Sequence, residues 1–490
     1  MIERRSFQHI ALNICGMVLP MLAGIMVVPD LILRLGADRF GVLSIAWVLV
    51  GYFGLLDLGL ARGLTQLLAQ QAAAGVAPSI RASIAKHVRG WMCGLGLVWA
   101  VILLIVAPWL THTGLHIPAN LQPEVTIGWV CLAVSVPLLM WAASSIGALE
   151  AYSRFAAVNA VRVPMGVATF LIPWGISHWT THLGEVLGGL LGVRLVAALS
   201  LNALSRSYFL HDGPAPSSSS LRNIIAFGSW LTVSNLVGPI LAYFDRFAIG
   251  AMLSVTAVTY YTVPFDVLSR LPSIPVAMMG VLFPLLAQAH NVEAGNSLRL
   301  NHMVSAASRL LVAFWVPGLV VCGLLGPVLL AWWVGPQLAL ASSGVWAWIA
   351  VGVLINGFAH IPYTLLQSAG RTDITAKFHL IELAPYLLAL WWALSHYDIV
   401  GAAAVWTLRV SLDTALLYIG AARLFPALRA VFAKSLAWAI VASAVLALSL
   451  YIQSSRSVTI NNAMAGCLIL LALIWSVYHM HTLRQAQTQL

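Results

Sequence analysis

Asp57 and Arg62, Asp266 and Arg270, and Arg409 and Asp413 all lie in stretches otherwise apolar enough to sit in a bilayer. A charged side chain at the bilayer centre costs about 2.5–3.5 kcal/mol on insertion scales. A chain that accepts this repeatedly, with acid and base close together, is expected to enclose a polar cavity. Asp266 and Arg270 are four apart, as are Arg409 and Asp413 and also Asp30 and Arg34, so each pair would share one helical face. Asp57 and Arg62 are five apart and align less well. Two chemistries fit these spacings. Each pair either neutralises itself and lowers its insertion cost, or its arginine faces water and binds an anionic headgroup. Arginine suits phosphate because its planar fork donates hydrogen bonds in pairs. On the second reading Arg62, Arg270, Arg194 and Arg409 contact the headgroup. Asp57, Asp266 and Asp413 then orient the arginines or exchange an ion. Arg194 has no acid within four residues, so it either binds a ligand or snorkels to an interface.

Asn356, His360, Tyr363, Thr364 and Gln367 follow a helical period on one face of an apolar stretch. Helix–helix hydrogen bonding explains one or two such residues. Five in register are expected to line an aqueous path, where amides and hydroxyls can bond sugar hydroxyls. Asp245 and Arg246 are neighbours and are expected near the outer end of a span, solvated by the interface. The pairs His112/His116 and His178/His182 have ligand spacing but no carboxylate or cysteine cluster beside them, so no metal is expected.

These residues need helices to hold them. Hydrophobic residues make up 61% of the chain and charged ones 8%, against about a quarter charged in globular proteins. The composition is that of an all-α polytopic membrane protein. At about 20 apolar residues per span, candidate spans fall at 10–33, 41–67, 90–110, 125–147, 156–177, 185–205, 225–252, 257–287, 304–331, 342–368, 378–396, 401–421, 433–453 and 462–481. This gives about 14 transmembrane helices. Span 257–287 holds Pro264, Pro272, Pro275 and Pro284 and is expected to bend. Seventeen of the 25 basic residues, from Arg4 and Arg5 through Arg371, Lys377 and Arg423 to Arg484, fall on the side of the N-terminus. The positive-inside rule then puts both termini in the cytoplasm, and the net charge of +10 reflects topology rather than nucleic-acid binding.

A hydrophilic linker runs from His211 through Pro214, Pro216 and Ser217 to Ser220. A shift of about 218 residues aligns Leu67-Leu68-Ala69-Gln70 with Leu285-Leu286-Ala287-Gln288, and the turn near Gly36 with that near Ser254. The expected organisation is a six-helix lobe over 1–205, a linker over 206–222, a second six-helix lobe over 223–432, and two further helices with a short tail over 433–490. Repeats of this kind in transporters place the substrate site at the repeat interface. The five cysteines lie in apolar runs without CxxC spacing, so neither a disulfide framework nor a zinc site is expected. GxxxxGK[ST], HExxH and GxSxG are all absent.

The run Leu33-Arg34-Leu35-Gly36-Ala37-Asp38-Arg39-Phe40-Gly41, followed by Asp57-Leu58-Gly59-Leu60-Ala61-Arg62, resembles the Wzx-type polysaccharide flippases. Asp245-Arg246, Ile249-Gly250 and Tyr260-Tyr261 are similar to the start of that family's second half. These flippases belong to the multidrug/oligosaccharidyl-lipid/polysaccharide exporter superfamily. The resemblance implies two six-helix lobes around a central cavity and alternating access in a bacterial inner membrane. It implies a polyprenyl-diphosphate-linked oligosaccharide as substrate, with a polymerase and a chain-length regulator of the same pathway as partners. No cofactor is expected; H+ or Na+ exchanging at Asp57 or Asp266 would assist the return of an empty cationic cavity. Acids accompany most intramembrane arginines here, which departs from a purely cationic cavity. A cation-coupled drug exporter of the same superfamily is the first alternative, and would favour unpaired acids and an aromatic cavity. A membrane-embedded polymerase or ligase is the second, and would need a large catalytic outer loop. The topology makes a direct prediction. A fluorescent protein fused after Leu490 fluoresces and alkaline phosphatase fused there is inactive; the reverse pattern places the C-terminus outside.

Overall fold

The structure, a computed structural model, describes residues 2–55, 57, 59–210, 240–290 and 296–455. Among these residues there are helices and connections and no strand. In chain order the helices are α1 (Ile2–Leu55), α2 (Leu60–Ala73), α3 (Pro78–Trp109), α4 (Gln122–Ala151), α5 (Phe155–Ile176), α6 (Leu183–Ser205) and α7 (240–252). They continue with α8 (Val255–Leu268), α9 (Ser273–His290), α10 (Asn296–Leu310), α11 (Val316–Val334), α12 (Pro336–Ser368), α13 (Thr372–Leu424) and α14 (Arg429–Ser455). Nine described helical stretches are long and apolar enough to cross a membrane, and the protein is multi-pass. The expected span 462–481, residues 225–239 of the seventh, and most of the linker lie outside the described residues.

Two long helices are hairpins of two spans each. α1 reverses at Gly36 (φ 77°, ψ 163°) and α13 at Asp398 (φ 58°, ψ −152°). This backbone region is essentially confined to glycine, because a Cβ crowds the neighbouring carbonyl. The expected spans 378–396 and 401–421, the latter with its two charges, are helical, as is 41–67 as far as Leu55. Several connections recur at one offset: Gly36 and Ser254, Ile117 and Gly335, Ser153 and Arg371, and Thr180 and Asp398 each mark a turn between helices 218 residues apart.

The chain divides by its internal packing into residues 1–259 and 260–490. The division falls after the expected linker because α7 and the first turn of α8 pack with the first unit. There the Thr259 hydroxyl donates to the Ala37 carbonyl at 2.6 Å and the Thr256 hydroxyl bonds Asp38. Gly41 permits this approach, since a Cβ would lie 1.9 Å from the Val255 carbonyl oxygen. Within the first unit α4 is central and packs on α2, α3 and α6. Arg39 clamps the Gly36 turn of α1 to α4, donating to both oxygens of Glu124 at 3.0 and 2.7 Å.

Within the second unit α12 is central, and it packs by seating tryptophans on glycines. The Trp315 indole donates to the Leu354 carbonyl at 3.0 Å across Gly357, and Trp346 donates to the Gly323 carbonyl at 3.2 Å beside Gly326. Small residues let helices approach closely where lipid offers no hydrophobic drive between them. α14 is not a loose appendage. It packs on α11 and α12, and the Ser435 and Tyr418 hydroxyls bond at 2.7 Å.

The two reversal turns predict opposite mutational effects. Gly36→Ala lowers stability by about 1–3 kcal/mol, whereas Asp398→Gly, at an exposed site, raises it by about 1 kcal/mol. The thermal unfolding midpoint in detergent measures both. An Asp398→Gly variant less stable than the parent shows that this turn carries no strain.

Candidate functional site

In the first unit the second span is broken. The helix that begins after Gly36 ends at Leu55, and α2 starts at Leu60 after Gly59 in the left-handed region (φ 71°). Asp57 makes this break, and it does so differently from the sequence expectation. Its carboxylate accepts the amide hydrogens of Gly59 at 2.9 Å and Ala61 at 3.1 Å, capping α2. Asp57 is buried with its carboxylate taken up by these amides, and Arg62 acts on it through charge rather than through an ion pair. Arg62 is exposed in the first turn of α2, with no ion-pair partner among the described residues. Donors freed at the start of a helix also carry a partial positive charge.

Two further arginines in this unit lack an acid among the described residues. Arg194 on α6 is 7% exposed, and its Nη1 is buried without a hydrogen-bond partner. It has not snorkelled to water. Arg89 on α3 is one of the seventeen basic residues assigned by position to the side of the N-terminus, yet its guanidinium reaches into the helix bundle. It donates to Ser144 and Ser145 of α4 and Asn202 of α6 at 3.0–3.1 Å and lies 3.2 Å from the centre of the Phe209 ring. Its positive charge is hydrogen-bonded but not neutralised. Asp245 and Arg246 are both buried and engaged, Asp245 accepting the Arg246 amide at 2.8 Å. The expected interfacial solvation of this pair is therefore corrected: it is covered by Tyr52, Tyr243 and Phe247.

The second unit repeats the break. α8 ends at Leu268 and α9 starts at Ser273, joined by a turn in which the Arg270 amide donates to the Val267 carbonyl. Arg270 thus follows the helix end and does not share a helical face with Asp266, contrary to the spacing expectation. Asp266 is half-buried and engaged, whereas Arg270 is exposed with no ion-pair partner among the described residues.

Deeper in this unit the two arms of α13 bring four titratable groups together. Arg409 and Asp413 do not pair with each other. Arg409 Nη1 lies 3.6 Å from Glu382 Oε2, and His379 Nε2 lies 3.9 Å from Asp413 Oδ1. The Glu382 and Asp413 carboxyls lie within hydrogen-bonding range of each other. The Glu382 side chain is fully buried, and neither of its oxygens has a conventional hydrogen-bond donor. Tyr386 presents its ring to Arg409 at 5.8 Å, and Tyr363 of α12 faces the Asp413 charge. His360 and Asn356 are half-buried further along α12, and His360 Nε2 is buried without a partner. Gln367 instead bonds Thr375 at 3.3 Å, and Thr364 is buried. The stripe on α12 therefore splits between the charged cluster and helix–helix bonding.

The description "Polysaccharide biosynthesis protein" matches residues 6–290, more than half the chain. The chain belongs to the polysaccharide biosynthesis protein family. It is also 27% identical over 405 residues to a Shigella flexneri protein named "Putative O-antigen transporter", covering 83% of this chain and 95% of that one. The fold is shared with solved membrane transporters. A multidrug resistance MATE family transporter of the MOP superfamily in an inward-facing conformation superposes with a TM-score of 0.69 at 13% identity, over 85% of this chain and 98% of the other. The lipid II flippase MurJ in an inward closed conformation gives 0.60 at 11% identity, over 98% and 100%. Membership agrees with the Wzx-type resemblance of the opening segments.

Glu382, His379 and Arg89 were missed as site residues. Glu382 and His379 had a readable signal, an acid and an imidazole three apart in an apolar span, but no sequence spacing links them to Arg409 and Asp413. The pairing predicts a double-mutant cycle. Arg409→Met destabilises the protein by about 3–5 kcal/mol by leaving buried carboxylates unmatched, and adding Glu382→Met recovers most of it. Additive losses in detergent unfolding show that the two side chains are not coupled.

Proposed function

We propose that this protein flips a polyprenyl-diphosphate-linked oligosaccharide from the cytoplasmic to the periplasmic leaflet of a bacterial inner membrane by alternating access. The observation that carries this reading is the pair of exposed arginines at helix breaks, Arg62 beside α2 and Arg270 beside α9. Broken helices in transporters aim their positive N-termini at anionic substrate groups. A guanidinium at such a terminus adds paired donors suited to a diphosphate. Arg194 and Arg89 give the first unit further positive charge unmatched by acids among the described residues. The name of the Shigella flexneri relative favours a saccharide substrate, and the fold is one that the lipid II flippase MurJ also adopts.

The same reading includes two six-helix repeats, over 1–205 and 223–432, joined by the 206–222 linker and followed by further helices to residue 490. Both termini are cytoplasmic. The recurrence of turns at 218 residues supports it, as does the bond between Asp38 and Thr256, which are themselves 218 apart. Residues near a two-fold axis contact their own counterparts. A headgroup of charge about −2 gains roughly 4–5 kcal/mol in leaving a negative-inside cell at 100 mV, so outward movement requires no ATP. Resetting is the harder step. Two buried carboxylates against Arg409 leave one negative charge while His379 is neutral. An H+ or Na+ bound at Glu382 and Asp413 balances it, which moves ion exchange away from Asp57. A polymerase and a chain-length regulator remain the expected pathway partners.

The buried acid pair is also what a cation-coupled drug exporter would carry, and charge reversal separates the two. Arg270→Glu and Arg62→Glu each abolish surface-polysaccharide export while the protein still inserts at normal levels. Full export in both variants removes these arginines from the site and favours the exporter.

A further inference from the structure

We propose that a cleft at the open end of the α13 hairpin holds the phosphate headgroup of an anionic phospholipid. The cleft has a volume of about 360 Å³ and lies between the start of α13, near Arg371, and its end, near Leu424. Both termini of the hairpin meet here, and on the expected topology the cleft sits where two spans leave the bilayer on the side of the basic excess.

Its charge is unbalanced. Arg371, Lys377 and Arg423 line it against the single carboxylate of Asp373, leaving two positive charges. Asp373 accepts from Arg371 at 2.9 and 3.2 Å and from Lys377 at 3.4 Å, and so offsets part of their charge. Arg423 is exposed and has no ion-pair partner among the described residues. The remaining walls are Ile374, Phe378 and Leu424. Gly420 forms the floor, where a Cβ would lie 3.2 Å from the Phe378 ring. A cationic rim over an apolar floor at the membrane surface suits a phosphate that carries acyl chains better than a free anion. Basic pockets between transmembrane helices at the cytoplasmic face take anionic headgroups in this way.

Binding of phosphatidylglycerol and of phosphatidylcholine to the detergent-purified full chain, followed by native mass spectrometry, tests this. Phosphatidylglycerol is expected to bind at least tenfold more tightly. Each of Arg423→Gln and Lys377→Gln weakens it about fivefold, the equivalent of about 1 kcal/mol per surface cation. Asp373→Asn strengthens it, a change of sign that simple loss of structure does not give. Millimolar inorganic phosphate leaves the bound lipid in place. Equal binding of the two lipids, an unchanged preference in the Arg423 and Lys377 variants, or weaker binding to the Asp373 variant overturns the site. Displacement by free phosphate overturns the lipid assignment. None of these outcomes depends on the transport reading.

Discussion

Every charge carried into the bilayer must be answered by protein or by a hydrated cavity, and this requirement organises the whole molecule. Arg89 is answered by neutral oxygens on two neighbouring helices. Asp57 is answered by backbone amides that its own helix break exposes. Arg409 is answered by a buried glutamate on the other arm of its hairpin, and Asp413 faces His379. Arg194 is answered incompletely, with Nη1 buried and unbonded. A group that remains unanswered in a stable fold is where a ligand gains most by binding, because it supplies the missing partner.

The helix breaks follow from the same requirement. Irregular backbone at membrane depth is tolerated only where protein or a hydrated cavity satisfies it. In the first unit Asp57 supplies the acceptors and Gly59 the left-handed turn. In the second, Pro272 and Pro275 reduce the number of amides needing a partner, and the Arg270 amide closes the turn on Val267. Different residues thus produce one arrangement, a short helix starting beside an exposed arginine.

The spans were legible because burial of the backbone demands about 20 apolar residues each, and the reversal at Gly36 because only glycine takes that conformation without strain. Pairing of charges was not. The four-residue spacing of Arg409 and Asp413 is compatible with a local bond, but α13 folds back at Asp398 and offers each a better partner from residues 379–382. For Asp266 and Arg270 the spacing fails because the helix ends at Leu268, an end that Pro272 signals in the sequence. Asp57-Leu58-Gly59 likewise carries a capping signal, an acid shortly before a glycine and a new helix. Arg89 reads as a loop residue by position. Only the packing of α3 on α4 and α6 turns it inward.

We propose that positive charge at the helix breaks receives an anionic, lipid-anchored headgroup and that the membrane potential draws it outward. Proteoliposomes containing the purified full chain and a fluorescent polyprenyl-diphosphate-linked oligosaccharide test this most directly, with translocation read by a membrane-impermeant quencher. Without ATP, translocation toward the positive side is predicted to accelerate as an imposed potential rises, because the moving headgroup carries net negative charge. Translocation that requires ATP, or that ignores the sign of the potential, contradicts the account.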